Sequence, residues 1–178
     1  MAIKLSVSLS LLMISAVLSL LHPSESRGIA SGEKGKPLIT KTCSRTEFPD
    51  ICTSTLESDP RSLNADLTGL SRIALELVEA KANEAAVVAY KLLNSAPDYP
   101  TWSDRSACFY SYNSTVYRIK QEGLQDFDAR KYDKVGVLNQ VNGEILHCNT
   151  LNVPELKDSN TIISRFITDV KKILSFLS

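Results

Sequence analysis

The sequence predicts an all-α protein: an up-down-up-down four-helix bundle preceded by a small N-terminal helical hairpin. Three observations lead there. Beyond Pro60, apolar residues recur at steps of three and four, the period of a helix with one buried face, and no stretch alternates convincingly with a strand's period of two. The connections between these stretches are short and marked by Pro, Asn and Asp. Finally, Cys108 and Cys148 stand equally far from a turn near Asp128, as two residues tying the arms of an antiparallel hairpin would.

The first element is not expected in the mature fold. Lys4 precedes an apolar and serine run from Leu5 to Leu21, followed by His22-Pro23 and the small residues Ser24 and Ser26. Residues 1–26 therefore read as a secretory signal peptide. A membrane anchor is the alternative, but the run is short for a bilayer and its Pro and small-residue flank suits cleavage. Cleavage near Ser26-Arg27 leaves about 152 residues, one domain with one core. Residues 27–37 carry Gly28, Gly32, Gly35 and Pro37 and no hydrophobic period, so they are expected to be a disordered lead-in. Residues 38–58 follow as two short helical arms around the turn signal Phe48-Pro49-Asp50, flanked by Cys43 and Cys52. Such a unit is too small to bury its own core and must lean on the bundle, residues 59–178, with which it forms one domain.

Asp59-Pro60-Arg61-Ser62 interrupts the helical pattern. Leu67, Leu70, Ala74, Leu77, Val78, Ala85, Val88 and Leu92 then mark the inner face of a helix of roughly thirty residues, ended by the stretch from Asn94 to Pro100. The lone Trp102 reads as a packing residue at a bundle end. At about 100° per residue, Cys108, Tyr112, Thr115 and Ile119 fall within roughly 60° of one another, and Leu138, Val141, Ile145 and Cys148 form the matching stripe of the second arm. Both cysteines therefore point into the seam. Pro154-Glu155 opens the last helix, with Ile163, Phe166, Val170, Ile173, Leu174 and Leu177 on its inner face and Arg165, Asp169 and Lys171 largely off it.

A secreted chain places its four cysteines in an oxidising compartment, where two disulfides are expected. Four cysteines allow three connectivities; spacing favours Cys43 with Cys52 and Cys108 with Cys148. No CxxC occurs, and His147 is the one histidine after the leader, so neither a metal site nor a cofactor is expected. Lys plus Arg equals Asp plus Glu at 20 each, which gives no electrostatic case for nucleic acid or an anionic membrane as partner. No catalytic set is expected either: there is no Gly-rich phosphate loop, GxSxG or HExxH, and His147 points roughly 100° away from Cys148. Asp126, Asp128 and Asp133 cluster at the turn, where they most simply solvate a loop. Asn113-Ser114-Thr115 is a glycosylation sequon on the outer face of its helix, roughly 140° from Cys108. The alternative is that a sequon inside a folded helix goes unused.

The chain resembles the plant invertase and pectin methylesterase inhibitors, a family that includes several pollen allergens. The resemblance runs from Thr42 to Leu177. It rests on Thr42-Cys43, Phe48-Pro49-Asp50-Ile51-Cys52, Ser58-Asp59-Pro60-Arg61, Asp66-Leu67 with Gly69-Leu70, Cys108 with Tyr112, Lys131-Tyr132-Asp133, and Cys148. It implies a four-helix bundle with one disulfide in the entry hairpin and one between the second and third bundle helices. It also implies a secreted, non-catalytic protein that blocks the substrate cleft of pectin methylesterase or acid invertase, in a complex favoured at the acidic pH of the cell wall or vacuole. Invertase inhibitors of the family carry Pro-Lys-Phe at the start of the third helix, where this chain has Arg130-Lys131-Tyr132. The missing proline leans the expectation toward the esterase, with Arg130, Lys131, Tyr132 and Asp133 as the expected contact residues. The alternative is a secreted helical protein that keeps the fold without inhibiting, such as a ligand carrier or signalling partner.

Overall fold

The structure, a computed structural model, describes residues 32–134 and 136–178. The leader and the first part of the lead-in lie outside the described residues. Described secondary structure is helical throughout: α1 (Gly35–Cys43), α2 (Pro49–Glu57), α3 (Leu67–Asn94), α4 (Tyr99–Arg118), α5 (Leu124–Asp128), α6 (Val137–Cys148) and α7 (Lys157–Leu174). A π-type turn, Ile119–Gly123, joins α4 to α5, and 3-10 turns occupy Pro60–Leu63, Tyr132–Lys134 and Pro154–Leu156. The first helix begins at Gly35, inside the segment expected to be a lead-in without structure. Pro37 falls within its first turn, where a missing N–H costs nothing, and Leu38 and Ile39 behind it are fully buried.

Asp66 caps α3 by accepting a bond from the Gly69 N–H at 2.8 Å. The inner face then changes character along the helix: Leu70, Ile73, Leu75 and Val78 give way to Ala82, Ala85, Ala86 and Ala89, all buried. These small side chains lie on the buried face of α3, which packs against both α4 and α7. They also take the place expected for Val88, which is 43% exposed. It borders a groove between α3 and α7, with Ile162 and Lys81. Asp98 caps α4 with a bond from the Thr101 N–H at 2.8 Å, and this backbone donor lowers its carboxyl pKa below the ordinary value.

The second and third bundle helices form the expected stapled hairpin. Cys108, Tyr112, Thr115 and Ile119 are all buried, as are Leu138, Val141, Ile145 and Cys148 opposite them. Cys108 and Cys148 are bonded, with their Cα atoms 5.0 Å apart across 40 residues of sequence. The arms are unequal, since the first runs unbroken through α4, the π-type turn and α5 while α6 has 12 residues. The link from Ala129 to Gly136 makes up the difference. Where the arms converge, a Cβ on Gly123 would meet the Val137 side chain at 3.4 Å, an ordinary van der Waals contact, so the seam there has room for a methyl group. Beneath the disulfide, the Tyr112 hydroxyl is hydrogen-bonded to Asn160 Oδ1, and Asn160 Nδ2 lies 3.3 Å from Cys148 Sγ. Burial pushes the Tyr112 phenol pKa up, so the hydroxyl stays a donor across the physiological range.

Helix α7 buries Ile163, Phe166, Ile167, Val170, Ile173 and Leu174. Asp169, expected largely off that face, is fully buried. The reason is that α7 is covered twice, by the bundle on one side and by the entry hairpin on the other. Asp169 Oδ1 accepts the Phe48 N–H at 2.9 Å. The hairpin, closed by Cys43–Cys52 with a Cα separation of 5.5 Å, leans on the bundle as its small size requires.

Candidate functional site

The residues expected to carry function lie in the link between α5 and α6. The sequence reading placed Arg130-Lys131-Tyr132 at a helix start; they instead precede α6 by several residues, and Tyr132–Lys134 forms a separate 3-10 turn. The link begins as a Schellman cap. The Lys131 N–H donates to Asp126 O and the Arg130 N–H to Phe127 O, both at 2.9 Å, and Arg130 takes the left-handed conformation at φ +58°. Glycine usually occupies that place, so Arg130 is held there by its surroundings.

Two contacts fix the link. The Tyr132 ring packs at 5.1 Å, tilted, against Phe127, which is buried beneath it. Lys131 Nζ lies 3.4 Å from Asp126 Oδ1 on the surface. Arg130, Lys131 and Asp133 are exposed and Tyr132 is half-buried, so the four residues form one accessible patch. Tyr132 and Asp133 also form one wall of a groove of about 300 Å³, closed on the other side by Leu138, Lys171, Leu174 and Ser175.

The neighbouring charges are paired rather than merely solvated. Arg72 of α3 binds Asp128 at 3.2 Å and also Glu76, while Arg61 binds Glu76 at 2.7 Å and Asp59 at 2.6 Å. The chain of charges Asp59–Arg61–Glu76–Arg72–Asp128 thus joins the turn after the entry hairpin, α3 and the tip of the stapled hairpin. The Arg61 guanidinium at Asp59 holds that carboxyl below its ordinary pKa, and Asp128 beside Arg72 raises the guanidinium's. Exposed pairs contribute little each, but together they fix the end of the molecule that carries the link.

Other expected residues stand apart from this patch. His147 is exposed near the Cys148 end of α6. Asn113 is exposed on the outer face of α4. Trp102, read as a packing residue, is 46% exposed and stacks on Tyr99 at 5.8 Å. Pro100 and the Asp98 cap open α4, and Trp102 stands in this first turn rather than in the core. Among the described residues no group of three or more His, Cys, Asp or Glu side chains is placed to hold a metal, and no described helix is long and apolar enough to cross a membrane.

A family model described as plant invertase/pectin methylesterase inhibitor matches residues 37–171. The chain belongs to this family. A pectinesterase inhibitor from Actinidia deliciosa is 31% identical over 84 residues, which are 47% of this chain and 45% of that protein. Pectinesterase inhibitor 28 from Oryza sativa subsp. japonica is 45% identical over 49 residues, 28% of this chain and 22% of the relative. Each of these matches thus spans less than half of the relative's length. The crystal structure of a pectin methylesterase inhibitor from Arabidopsis thaliana shares the fold, with a TM-score of 0.58 at 13% identity, over 80% of this chain and 97% of that one. Both named relatives are inhibitors, and the family is one of inhibitors rather than enzymes.

Proposed function

We propose that this chain is a secreted inhibitor of plant pectin methylesterase that blocks the enzyme's substrate cleft with the link end of its bundle. Acid invertase is the second candidate target. Membership of an inhibitor family supports the general reading. The backbone at Arg130 favours the esterase. Position 130 stands at φ +58° and its N–H is bonded to Phe127 O, whereas proline is fixed at about −65° and has no N–H. The Pro-Lys-Phe sequence of invertase inhibitors therefore cannot take this loop's conformation.

Lys131 and Tyr132 are the anchors of the proposed contact, with Arg130 and Asp133 beside them. A loop held by a Schellman cap and a ring contact loses little freedom on docking, so a few side chains can set the affinity. The place of action is the cell wall, with the vacuole as the alternative. The test is titration of the disulfide-intact protein against both enzymes at mildly acidic pH. Esterase activity should fall with added protein and invertase activity should not. Lys131→Ala should weaken inhibition by about tenfold or more, the size of one anchored side chain. Invertase loss without esterase loss would reverse the target; no loss of either at large excess would leave the fold without the inhibitory role.

A further inference from the structure

Helix α4 presents an outer face unlike the rest of the surface. At about 100° per residue, Tyr99, Trp102, Phe109, Tyr110, Asn113 and Tyr117 fall within an arc of roughly 100°. Tyr99 is 75% exposed, Tyr110 67% and Tyr117 65%. Phe109 continues the face onto α3 through Tyr90, 5.5 Å away and itself exposed. The stripe is about 27 Å long at the rise of an α-helix. Exposed aromatic surface of this extent marks a place that something covers.

The sequon lies inside it. Asn113 is exposed, and Phe109, Tyr110 and Tyr117 stand three or four residues away, the spacing at which helical neighbours lie about 5–6 Å apart. Thr115, the third residue of the sequon, is buried and donates to Ser111 O at 3.0 Å, so the acceptor asparagine alone of the pair remains on the surface once the helix has formed. We propose that Asn113 carries an N-linked glycan whose first N-acetylglucosamine rings lie over Phe109, Tyr110 and Tyr117 and cover the aromatic face of α4. This inference is independent of the inhibitor reading.

The chemistry balances with a lipid-linked oligosaccharide as donor. Asn113 Nδ2 bonds to the anomeric carbon of the donor sugar, the pyrophosphate-linked lipid leaves, and one amide proton is released. Transfer precedes folding, because in the finished helix the Thr115 hydroxyl of the sequon is buried and bonded to Ser111 O, while Nδ2 donates to Phe109 O at 2.9 Å. The nitrogen keeps one N–H after transfer, so that bond can persist and hold the first sugar along the helix. The C–H faces of a pyranose are apolar and the aromatic faces carry π density, so stacking removes both from water. The two disulfides fit the oxidising route on which such transfer occurs.

The test uses the full chain secreted from eukaryotic cells, with Asn113→Gln as its partner. Mass spectrometry of the peptide containing Asn113 reads occupancy, and tyrosine nitration of the folded proteins reads coverage. Asn113 should be glycosylated, and Tyr110 and Tyr117 should nitrate several-fold more slowly than in Asn113→Gln. Tyr99, fourteen residues from the acceptor, should react equally in both. An unmodified Asn113 in the secreted protein would overturn the proposal. So would a glycan that leaves Tyr110 and Tyr117 as reactive as in the variant. Equal protection in both proteins, with a dimer in solution, would assign the face to a second copy instead.

Discussion

Arg130 occupies a left-handed backbone conformation that costs an L-residue about 1–2 kcal/mol and glycine almost nothing. The strain is local, at the C′ position of a Schellman cap, and the side chain is exposed. Arg130→Gly should therefore raise stability by about 0.5–1 kcal/mol in urea unfolding, the added freedom of glycine in the unfolded chain offsetting part of the gain. A loss of stability would mean that the arginine side chain holds the link. The conformation was not legible in the sequence, because an arginine carries no signal for positive φ. Asp169 was hidden for a different reason. Helical periodicity describes a helix with one covered side, and Asp169 is buried by a second layer contributed by residues 121 positions earlier in the chain.

The stapled hairpin was legible because its two signals are independent: two apolar stripes, and cysteines equidistant from one turn. Both stripes are buried along their whole length. What periodicity could not supply was the character of the outer face of α4. Its aromatics recur with the same period as its core residues, and only the neighbours decide which set is covered. The shift of α3 from Leu and Val to Ala had the same consequence, since Val88 looks more apolar than Ala89 yet lies outside it. By chain entropy, closing a loop of 40 residues stabilises by about 4 kcal/mol, against about 2.5 kcal/mol for the nine-residue separation in the entry hairpin. Cys108→Ala with Cys148→Ala should thus cost more in chemical denaturation than Cys43→Ala with Cys52→Ala. The reverse order would show that the entry hairpin, and not the staple, sets the stability.

Across the domain, the entry hairpin and the bundle meet at one buried acid. Burial raises the Asp169 carboxyl above its ordinary pKa, against the opposing pull of the Phe48 N–H. The folded protein then holds this proton more tightly than the unfolded chain. Stability is therefore lost as pH rises through the raised value, and regained on acidification down to the ordinary carboxylate range. Asp169→Asn keeps an oxygen for Phe48 and removes the titration. The urea midpoint of the natural protein should fall as pH rises from the ordinary carboxylate range through the raised value, while the variant's profile lacks this component. Parallel profiles would place the proton elsewhere. The sign suits a protein proposed to work in the acidic cell wall.

The alanines keep the second half of the buried face of α3 thin. A bulkier group there would press on α4 and α7, the long helices packed against α3. Because the Cys108–Cys148 bond ties α4 to α6, a shift of α4 would carry α6 with it. The tip carrying Arg130 and Lys131 is itself held to α3 by the Arg72–Asp128 pair, so the charged loop keeps its aim only while these helices keep their spacing.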